Sequence, residues 1–342
     1  MRLIFYRTGA IGDVIHCLPA LKFIKKQNPE ASLELVTHCA ALKDVLEIYA
    51  SYIDKVFIAT KKDPVPEDLR LSLRDKAADV FTYLHSNWLR AWYLKLKYFP
   101  EASLKIYKKD LTLSSRENFL YAFDPSLKSS ILNERYDNGL LNALLDYNCL
   151  ESHFIQHDSA IYNDLNDKHI NLDSPYLVIV PGVGKLRPQR AFPLARWEEF
   201  INRLLRETDY KIKILGGADE AELSLYLNVN LKLRSSSNTR IENLIGKLSL
   251  LESTRVLESA TKIYACDTGL LHIASALDKD VETIYSVSSE FRTGPYSPRA
   301  KILRSKYCKC AALKGFHDNK TKCKYLSSND LPRCTEDLSF SC

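Results

Sequence analysis

The residues best placed for chemistry lie in glycine-containing segments that follow strand-like runs, and the first is TGAIGDVIHCLPAL at 8–21. Two glycines there let the backbone approach a ligand closely, and the N–H groups at a helix start attract negative charge. The helix begins near Asp13, whose carboxylate is either a plain N-terminal cap or a group that acts on a ligand. The glycine spacing differs from G-x-G-x-x-G, which argues against a dinucleotide cofactor.

The second segment, PGVGKLRPQRAFPLARW at 181–197, places Lys185 and Arg190 in a glycine loop ahead of a first-turn proline. Mobile cations beside a helix start suit a diphosphate. The P-loop pattern is absent, so this is not a nucleotide triphosphate loop of that kind. A solvated basic loop is the alternative interpretation.

The third segment, ACDTGLLHIASAL at 265–277, carries the strongest pattern. A strand-like run ends at Asp267, and Thr268 and Gly269 then open a helix. His272 lies one turn further on, on the same face as Gly269. The backbone N–H groups and the Thr268 hydroxyl could hold phosphate oxygens without a metal. A capping role accounts for Asp267 but leaves the glycine and the histidine unexplained.

A fourth segment, GGADEAEL at 216–223, supplies acidic residues just after another strand-like run. Asp219 or Glu220 could accept hydrogen bonds from ribose hydroxyls, as acidic residues do in nucleotide-binding folds. The alternative is that both simply stabilise the first turn of a helix.

Two features of the first half suggest contact with an anionic acceptor. The stretch LHSNWLRAWYLKLKYFP at 84–100 interleaves aromatic residues with cations, which suits a membrane interface or a phosphorylated glycolipid. Its helical periodicity instead favours an aromatic stripe that packs into the first domain. Lys61 and Lys62, in a strand-to-helix loop, are predicted to meet acceptor phosphates.

Four cysteines of the lysine-rich C-terminal segment, Cys308, Cys310, Cys323 and Cys334, could bind a metal ion. Clustered cysteines in a cytosolic protein favour metal over disulfides, and four thiolates would hold zinc or iron and staple a tail with little core of its own. Free thiols are the alternative. Four further cysteines lie in predicted core elements and are interpreted as small buried hydrophobes: Cys17, Cys39, Cys149 and Cys266.

The elements that position these segments form two series of alternating strands and helices. Strands are predicted in the first half at 2–7, 32–38, 55–59, 79–84 and 103–107, with a helix over 13–27. The second half adds strands at 176–182, 211–217, 262–267 and 282–287, with helices over 194–207, 249–259 and 269–277. Such repeats predict two doubly wound parallel sheets, in which ligands bind at the carboxyl ends of the strands.

Length and composition agree with this organisation. A chain of 342 residues exceeds one compact α/β core, so we expect domains at 1–165 and 175–305 and a Cys-rich tail at 306–342. The net charge of +6 is not gathered into one basic arm, and no nucleic-acid motif accompanies it. The N-terminus lacks the arrangement of a signal peptide, and no apolar run is long enough to span a membrane, which predicts a cytoplasmic protein.

Taken together, the segments resemble glycosyltransferase family 9, whose best-known members are the heptosyltransferases of lipopolysaccharide core assembly. The resemblance covers roughly residues 1–300 and rests on two strings. One is G-D-x-x-x-x-x-P-A-L, formed by Gly12, Asp13, Pro19, Ala20 and Leu21. The other is D-T-G-x-x-H-x-A, formed by Asp267, Thr268, Gly269, His272 and Ala274. The two strings occur in the order and in the halves that the family has.

The resemblance implies a GT-B fold, in which two Rossmann-like domains face a central cleft, and an inverting reaction without a catalytic cofactor or metal. It implies that Asp13 is the general base and that Thr268, Gly269 and His272, with Asp267, hold the donor diphosphate. Arg190 takes the place of a lysine in the family's loop and, with Lys185, would stabilise the leaving group. Asp219 matches the acidic residue that reaches the ribose.

By the same resemblance the donor is ADP-heptose and the acceptor is the anionic glycolipid of the lipopolysaccharide or lipooligosaccharide inner core. The protein would then contact the cytoplasmic face of the inner membrane peripherally. The alternatives are another nucleotide sugar, a protein acceptor or a non-catalytic nucleotide-sugar-binding protein. Some family relatives that glycosylate proteins carry a C-terminal cysteine metal site, which connects the protein-acceptor alternative to the tail.

Overall fold

The structure is a computed structural model that falls into two compact units, Met1–Glu151 and Ser152–Cys342. It describes residues 1–85, 87–106, 149–151, 168, 170, 172, 174–184, 188–231, 239–286, 288, 290–295, 297–304 and 338–341. Within these residues, no helix has both the length and the apolar character needed to cross a membrane.

The first unit contains a five-stranded sheet in which every pair of neighbouring strands is parallel. The strand order is β3-β2-β1-β4-β5. Its elements are β1 (Arg2–Tyr6), α1 (Ile11–Ile15), α2 (Leu18–Gln27), β2 (Ser32–Thr37), α3 (Leu42–Tyr49), β3 (Lys55–Ile58), α4 (Glu67–Asp75), β4 (Val80–Tyr83), α5 (Trp88–Tyr98) and β5 (Ser103–Ile106). The central strand β1 is buried along its whole length, because helices cover both faces of such a sheet.

The second unit has a six-stranded parallel sheet in the order β11-β10-β9-β6-β7-β8. Its strands are β6 (Tyr176–Val180), β7 (Lys211–Ile214), β8 (Ile241–Asn243), β9 (Lys262–Cys266), β10 (Val281–Ile284) and β11 (Ala300–Leu303). Its helices are α6 (Leu194–Glu207), α7 (Ala221–Asn230), α8 (Leu250–Ser259), α9 (Gly269–Ala276) and α10 (Glu290–Thr293), with 3₁₀ turns at Pro188–Arg190 and Ala218–Glu220. This is the strand order of a doubly wound nucleotide-binding sheet.

In each sheet the strand order reverses direction once, between β1 and β4 in the first unit and between β6 and β9 in the second. Connections leave such a point toward opposite faces, so a crevice opens at the carboxyl ends of the two strands. In the first unit the segments after β1 and β4 border this crevice, and in the second unit the segments after β6 and β9 do. These are the segments in which the sequence analysis placed Asp13, Arg190 and Asp267.

The predicted doubly wound parallel α/β architecture is confirmed in both units. The single helix predicted over 13–27 is instead two helices, separated at His16 and Cys17. Pro19 accounts for the break, because its ring nitrogen has no hydrogen to donate and its ring crowds the carbonyl four residues earlier. Of the four cysteines predicted to be buried, Cys39 is only partly so.

The C-terminal peptide Leu338–Ser341 packs into the core of the second unit, a contact that was not predicted from the sequence. The Phe340 ring stacks on Trp197 with centroids 4.8 Å apart and meets Tyr264 edge-on at 5.5 Å. The Ser341 N–H donates to Glu282 Oε1 at 2.8 Å. Arg196 and Arg203 donate to backbone carbonyls of the same peptide.

We predict that Phe340→Ala lowers the free energy of unfolding of the second unit by about 3–4 kcal/mol, the usual loss for a buried phenylalanine. Urea unfolding followed by far-UV circular dichroism measures this change. Val229→Ala is the matched control, because Val229 is exposed on α7 of the same unit. Equal stability of the two variants would contradict the packing role of the C-terminal peptide.

Candidate active site

Asp13 lies in the first turn of α1, directly after the loop that follows β1. Its Oδ2 accepts a hydrogen bond from the Ala10 N–H at 3.0 Å, and its Oδ1 pairs with Arg7 Nη2 at 2.9 Å. A Cβ on Gly9 would come within 2.6 Å of Oδ2, so this loop needs glycine there. The side chain remains 48% exposed. The carboxylate is therefore held by two donors while part of it is open to a ligand.

His85 follows β4 and connects that strand end to the loop after β1. Its Nε2 lies 2.8 Å from the Thr8 amide nitrogen and 2.9 Å from the Thr8 hydroxyl. Because the amide can only donate, Nε2 is the acceptor and carries no proton. Arg7 Nη1 donates to the Leu84 carbonyl at 2.7 Å. Burial, with a smaller effect from Arg7, lowers the pKa of His85 to about 4, so the ring is neutral near pH 7.

Further cations lie near the same edge of the sheet. Burial lowers the pKa of His38, and the charges of Arg90 and Lys61 lower it further. Burial raises the pKa of Tyr6, with Arg90 acting in the opposite direction. Lys61 and Lys62 are exposed in the loop after β3. This edge of the first unit is therefore electropositive around Asp13.

In the second unit the Asp267 carboxylate, only 2% exposed, sits at the end of β9 among polar partners. Its Oδ2 lies 3.0 Å from Arg190 Nη1 and accepts from the Ser288 hydroxyl, and its Oδ1 lies 3.4 Å from His272 Nε2. Burial by itself would raise the pKa of Asp267, but His272, Arg190 and Ser288 together hold it below the ordinary value. A carboxylate so surrounded is suited to fix its neighbours rather than to touch an anion.

The start of α9 offers donors for an anion beside this cluster. Thr268 is the extended N-cap residue and makes no capping hydrogen bond through its side chain to the described residues of the helix. Gly269 is the first helical residue, and both residues are partly exposed. The first N–H groups of a helix have no partner inside it, so they point toward a ligand position.

The two acidic residues after β7 have different roles. Glu220 accepts hydrogen bonds from the Gly184 N–H at 2.9 Å and from the Gly217 N–H at 3.0 Å. A Cβ on Gly182 would overlap the Glu220 carboxylate, so the glycines after β6 are needed to admit it. Burial raises the pKa of Glu220. Asp219 is exposed beside the same loop and is the one of the two that can meet a ligand.

Several predicted site residues lie outside the described residues: Lys185, Cys308, Cys310, Cys323 and Cys334. The predicted zinc or iron at the four cysteines therefore stays a prediction. In the part of the chain that the structure describes, no group of three or more histidine, cysteine, aspartate or glutamate residues could hold a metal ion.

The structure thus brings Arg190, Asp267 and His272 together within the second unit. Around Asp13 it adds Arg7 and His85, which the sequence analysis did not select. The sequence signal that could have found them was their position, because Arg7 comes directly after β1 and His85 two residues after β4, the two strands between which the sheet order reverses. Which side chains they would contact was not visible in the sequence.

The chain is similar in sequence to known proteins. The family model for "Glycosyltransferase family 9 (heptosyltransferase)" matches residues 133–323, more than half of the chain. Lipopolysaccharide heptosyltransferase 1 of Pseudomonas aeruginosa is 26% identical over 312 residues, covering 86% of this chain and 81% of that protein. Against three heptosyltransferase 2 relatives, the chain spans only 37–44% of their lengths.

Solved structures share the fold. E. coli ADP-heptose lps heptosyltransferase II matches with a TM-score of 0.68 and 18% identity, covering 89% of this chain and 90% of that one. The dodecameric iron-containing heptosyltransferase TibC, in complex with ADP-D-beta-D-heptose, matches with a TM-score of 0.56 and 13% identity, covering 98% and 71%. These likenesses confirm the GT-B class as two parallel-sheet α/β units.

We predict that His85→Gln flattens the pH dependence of stability of the first unit between pH 6.5 and pH 4. An unfolded histidine takes up a proton near pH 6.5, whereas folded His85 resists it down to about pH 4. The wild type should therefore lose about 2 kcal/mol of stability through this group by pH 5, and nothing above pH 7.

Glutamine keeps an acceptor for Thr8 and does not titrate. Urea unfolding of both proteins at pH 5 and pH 7.5 measures the difference. If the stability of the wild type and of the variant changed equally between pH 7.5 and pH 5, His85 would not be held neutral by the fold.

Proposed function

Because the chain belongs to glycosyltransferase family 9, we propose that it transfers heptose from ADP-heptose to the inner core of lipopolysaccharide or lipooligosaccharide. The observation that carries the proposal is the Arg190–Asp267–His272 cluster at the start of α9. It sets a cation beside the first N–H groups of a helix, an arrangement suited to a diphosphate. The names of the relatives support the choice of donor and acceptor.

The donor diphosphate, in this proposal, binds over Thr268 and Gly269 at the start of α9. Negative charge develops on the diphosphate as the anomeric bond breaks, and fixed N–H dipoles stabilise it without reorganising. Arg190 adds a full positive charge. Asp267 keeps the Arg190 guanidinium in place by pairing with Nη1, one of the two terminal nitrogens of that group. Lys185, five positions before Arg190 in the sequence, would act on the same phosphates. His272 lies beside these groups, with its Nε2 3.4 Å from Asp267 Oδ1.

Recognition of the nucleoside is assigned to Asp219. Its carboxylate is exposed next to Gly184 and can accept hydrogen bonds from ribose hydroxyls. Glu220 is occupied with two backbone N–H groups and keeps the glycine loop in shape. In this scheme the Asp219 carboxylate binds the ligand, and the neighbouring Glu220 carboxylate positions the loop.

On the acceptor side, Asp13 is the proposed general base. Its exposed oxygen surface can take the proton of the acceptor hydroxyl, while Arg7 and the Ala10 N–H hold the carboxylate in one orientation. Attack from the face opposite the departing diphosphate inverts the anomeric carbon. Neutralisation of the leaving group by Arg190 and the α9 N–H groups makes a catalytic metal unnecessary in this scheme.

The acceptor is proposed to be an anionic glycolipid that the protein reaches at the cytoplasmic face of the inner membrane. Lys61 and Lys62 are exposed near the sheet edge that carries Asp13. The charge of Lys61 contributes to lowering the pKa of His38 at this edge. Exposed ammonium groups suit the phosphates of such an acceptor.

We predict that Asp13→Asn lowers the rate of heptose transfer by about 10²–10⁴, because the amide cannot accept the proton. The affinity for ADP should change less than about twofold, since Asp13 belongs to the other unit. ADP release from ADP-heptose in the presence of acceptor measures the rate, and calorimetry measures the affinity. Asp44→Asn, an exposed carboxylate on α3, is the control. Full turnover of the Asp13 variant would remove it from the role of base.

We also predict that Arg190→Ala weakens ADP binding about ten- to hundredfold, the usual effect of losing a charged hydrogen bond. Arg190→Lys should bind with intermediate affinity, because it keeps the charge but loses the planar fork. Calorimetric titration with ADP at two salt concentrations measures both. Arg206→Ala, exposed on α6, is the matched control. An Arg190→Ala protein with wild-type affinity would refute the assignment.

A further inference from the structure

The helix α5 presents large apolar side chains to solvent. Each is between 46 and 65% exposed, and together we call them the α5 surface: Trp88, Leu89, Trp92, Tyr93 and Leu96. The side chains that α5 buries are the smaller Ala91 and Leu94. The expectation that the aromatic stripe packs into the first unit is therefore wrong for Trp88, Trp92 and Tyr93, whereas Tyr98 does pack against its core.

These side chains form one continuous patch. Trp88, Trp92 and Leu96 are spaced four residues apart, so they make one row along the helix. Leu89 and Tyr93 make an adjacent row on the same side. Scattered exposed apolar residues are ordinary in soluble proteins, but a contiguous patch marks an interaction surface.

The charges on α5 indicate which kind of surface it meets. Lys97 Nζ lies 3.0 Å from the Tyr93 hydroxyl and 5.4 Å from the centre of its ring. Lys95 reaches the Pro100 carbonyl at the end of the helix, with Nζ at 2.6 Å. No acidic residue occurs between 84 and 100. Tryptophan and tyrosine beside lysine are typical of the interface between water and an anionic bilayer.

A protein partner fits this composition less well, because lysine is depleted in the cores of protein–protein interfaces. We propose that the α5 surface docks on the surface of an anionic phospholipid bilayer. The indole rings and leucines enter the interfacial region, and Lys95 and Lys97 lie at the level of the phosphate headgroups. Juxtamembrane cations are attracted by the negative potential of such a leaflet.

The start of α5 lies close to the proposed acceptor site in the first unit. Trp88, its first residue, comes three positions after His85, which contacts Thr8 in the loop that leads to Asp13. A bilayer bound by α5 would therefore bring a lipid-anchored acceptor to this site. This second step rests on the proposed function, whereas binding to the bilayer does not.

The test is cosedimentation of the full chain with vesicles of phosphatidylethanolamine and phosphatidylglycerol (3:1), compared with vesicles of phosphatidylcholine alone. The wild type should bind the anionic vesicles at least about tenfold more tightly. The double variant Trp92→Ser/Leu96→Ser should lose at least about tenfold in affinity. Leu225→Ser/Val229→Ser, two exposed apolar residues of α7 in the other unit, should bind as the wild type does.

Tryptophan fluorescence separates docking of this surface from other contacts. Trp197 is fully buried, so a blue shift on adding vesicles reports Trp88 and Trp92. Absence of vesicle binding by the wild type, or equal binding by the α5 double variant, would overturn the inference. So would sedimentation velocity showing that the α5 substitutions dissolve a dimer while vesicle binding is unchanged.

An activity assay links docking to the acceptor. The α5 double variant should transfer to a detergent-solubilised acceptor at the wild-type rate and at least about tenfold more slowly to the same acceptor in vesicles. A wild type without any transfer would refute the proposed function and leave the vesicle result standing. Equal slowing with both acceptors would refute the docking role.

Discussion

The second unit is organised around a carboxylate that is almost completely removed from water. An ionised carboxylate in a protein interior is stable only when neighbouring groups replace its hydration. For Asp267 these groups are Arg190, His272 and Ser288, which come from the turn after β6, from α9 and from the segment after β10. The compensation of one buried charge thus fixes a cation and an imidazole at the carboxyl edge of the sheet, beside the N–H groups of α9.

The first unit uses the same residue types in a different environment. Asp13 is paired with Arg7, and His85 braces the loop between them through Thr8. Here the carboxylate keeps about half of its surface in solvent, so it can exchange a proton with a ligand. Asp267 has no such surface and serves to position its partners. Asp13 follows the first strand of its unit and Asp267 the fourth strand of the other, and the two carboxylates differ most in burial.

Prediction from sequence succeeded for nine strands, because parallel strands covered on both faces are continuous apolar runs. It missed β8 and β11, the two edge strands of the second sheet, which are short and only partly buried. The same local reasoning located the glycine segments at strand ends, and with them Asp13, Arg190 and His272. It failed for α5, whose periodic aromatic residues have the pattern of a buried stripe but face water. It also missed the C-terminal peptide, because four residues without periodicity give no sign that Phe340 completes the core around Trp197.

By itself, the sequence determined the alternation of strands and helices and the edge of each sheet at which the candidate site residues lie. Both follow from hydrophobic pattern and from glycine, proline and capping residues within a few positions. Only the tertiary structure decided which partner each charged group has and how much water it meets. Thr8 and His85 are 77 positions apart, and the pairing of Glu220 with Gly184 likewise crosses between strands. Such contacts depend on how distant segments pack, and it is packing that sets the burial on which the roles of these side chains depend.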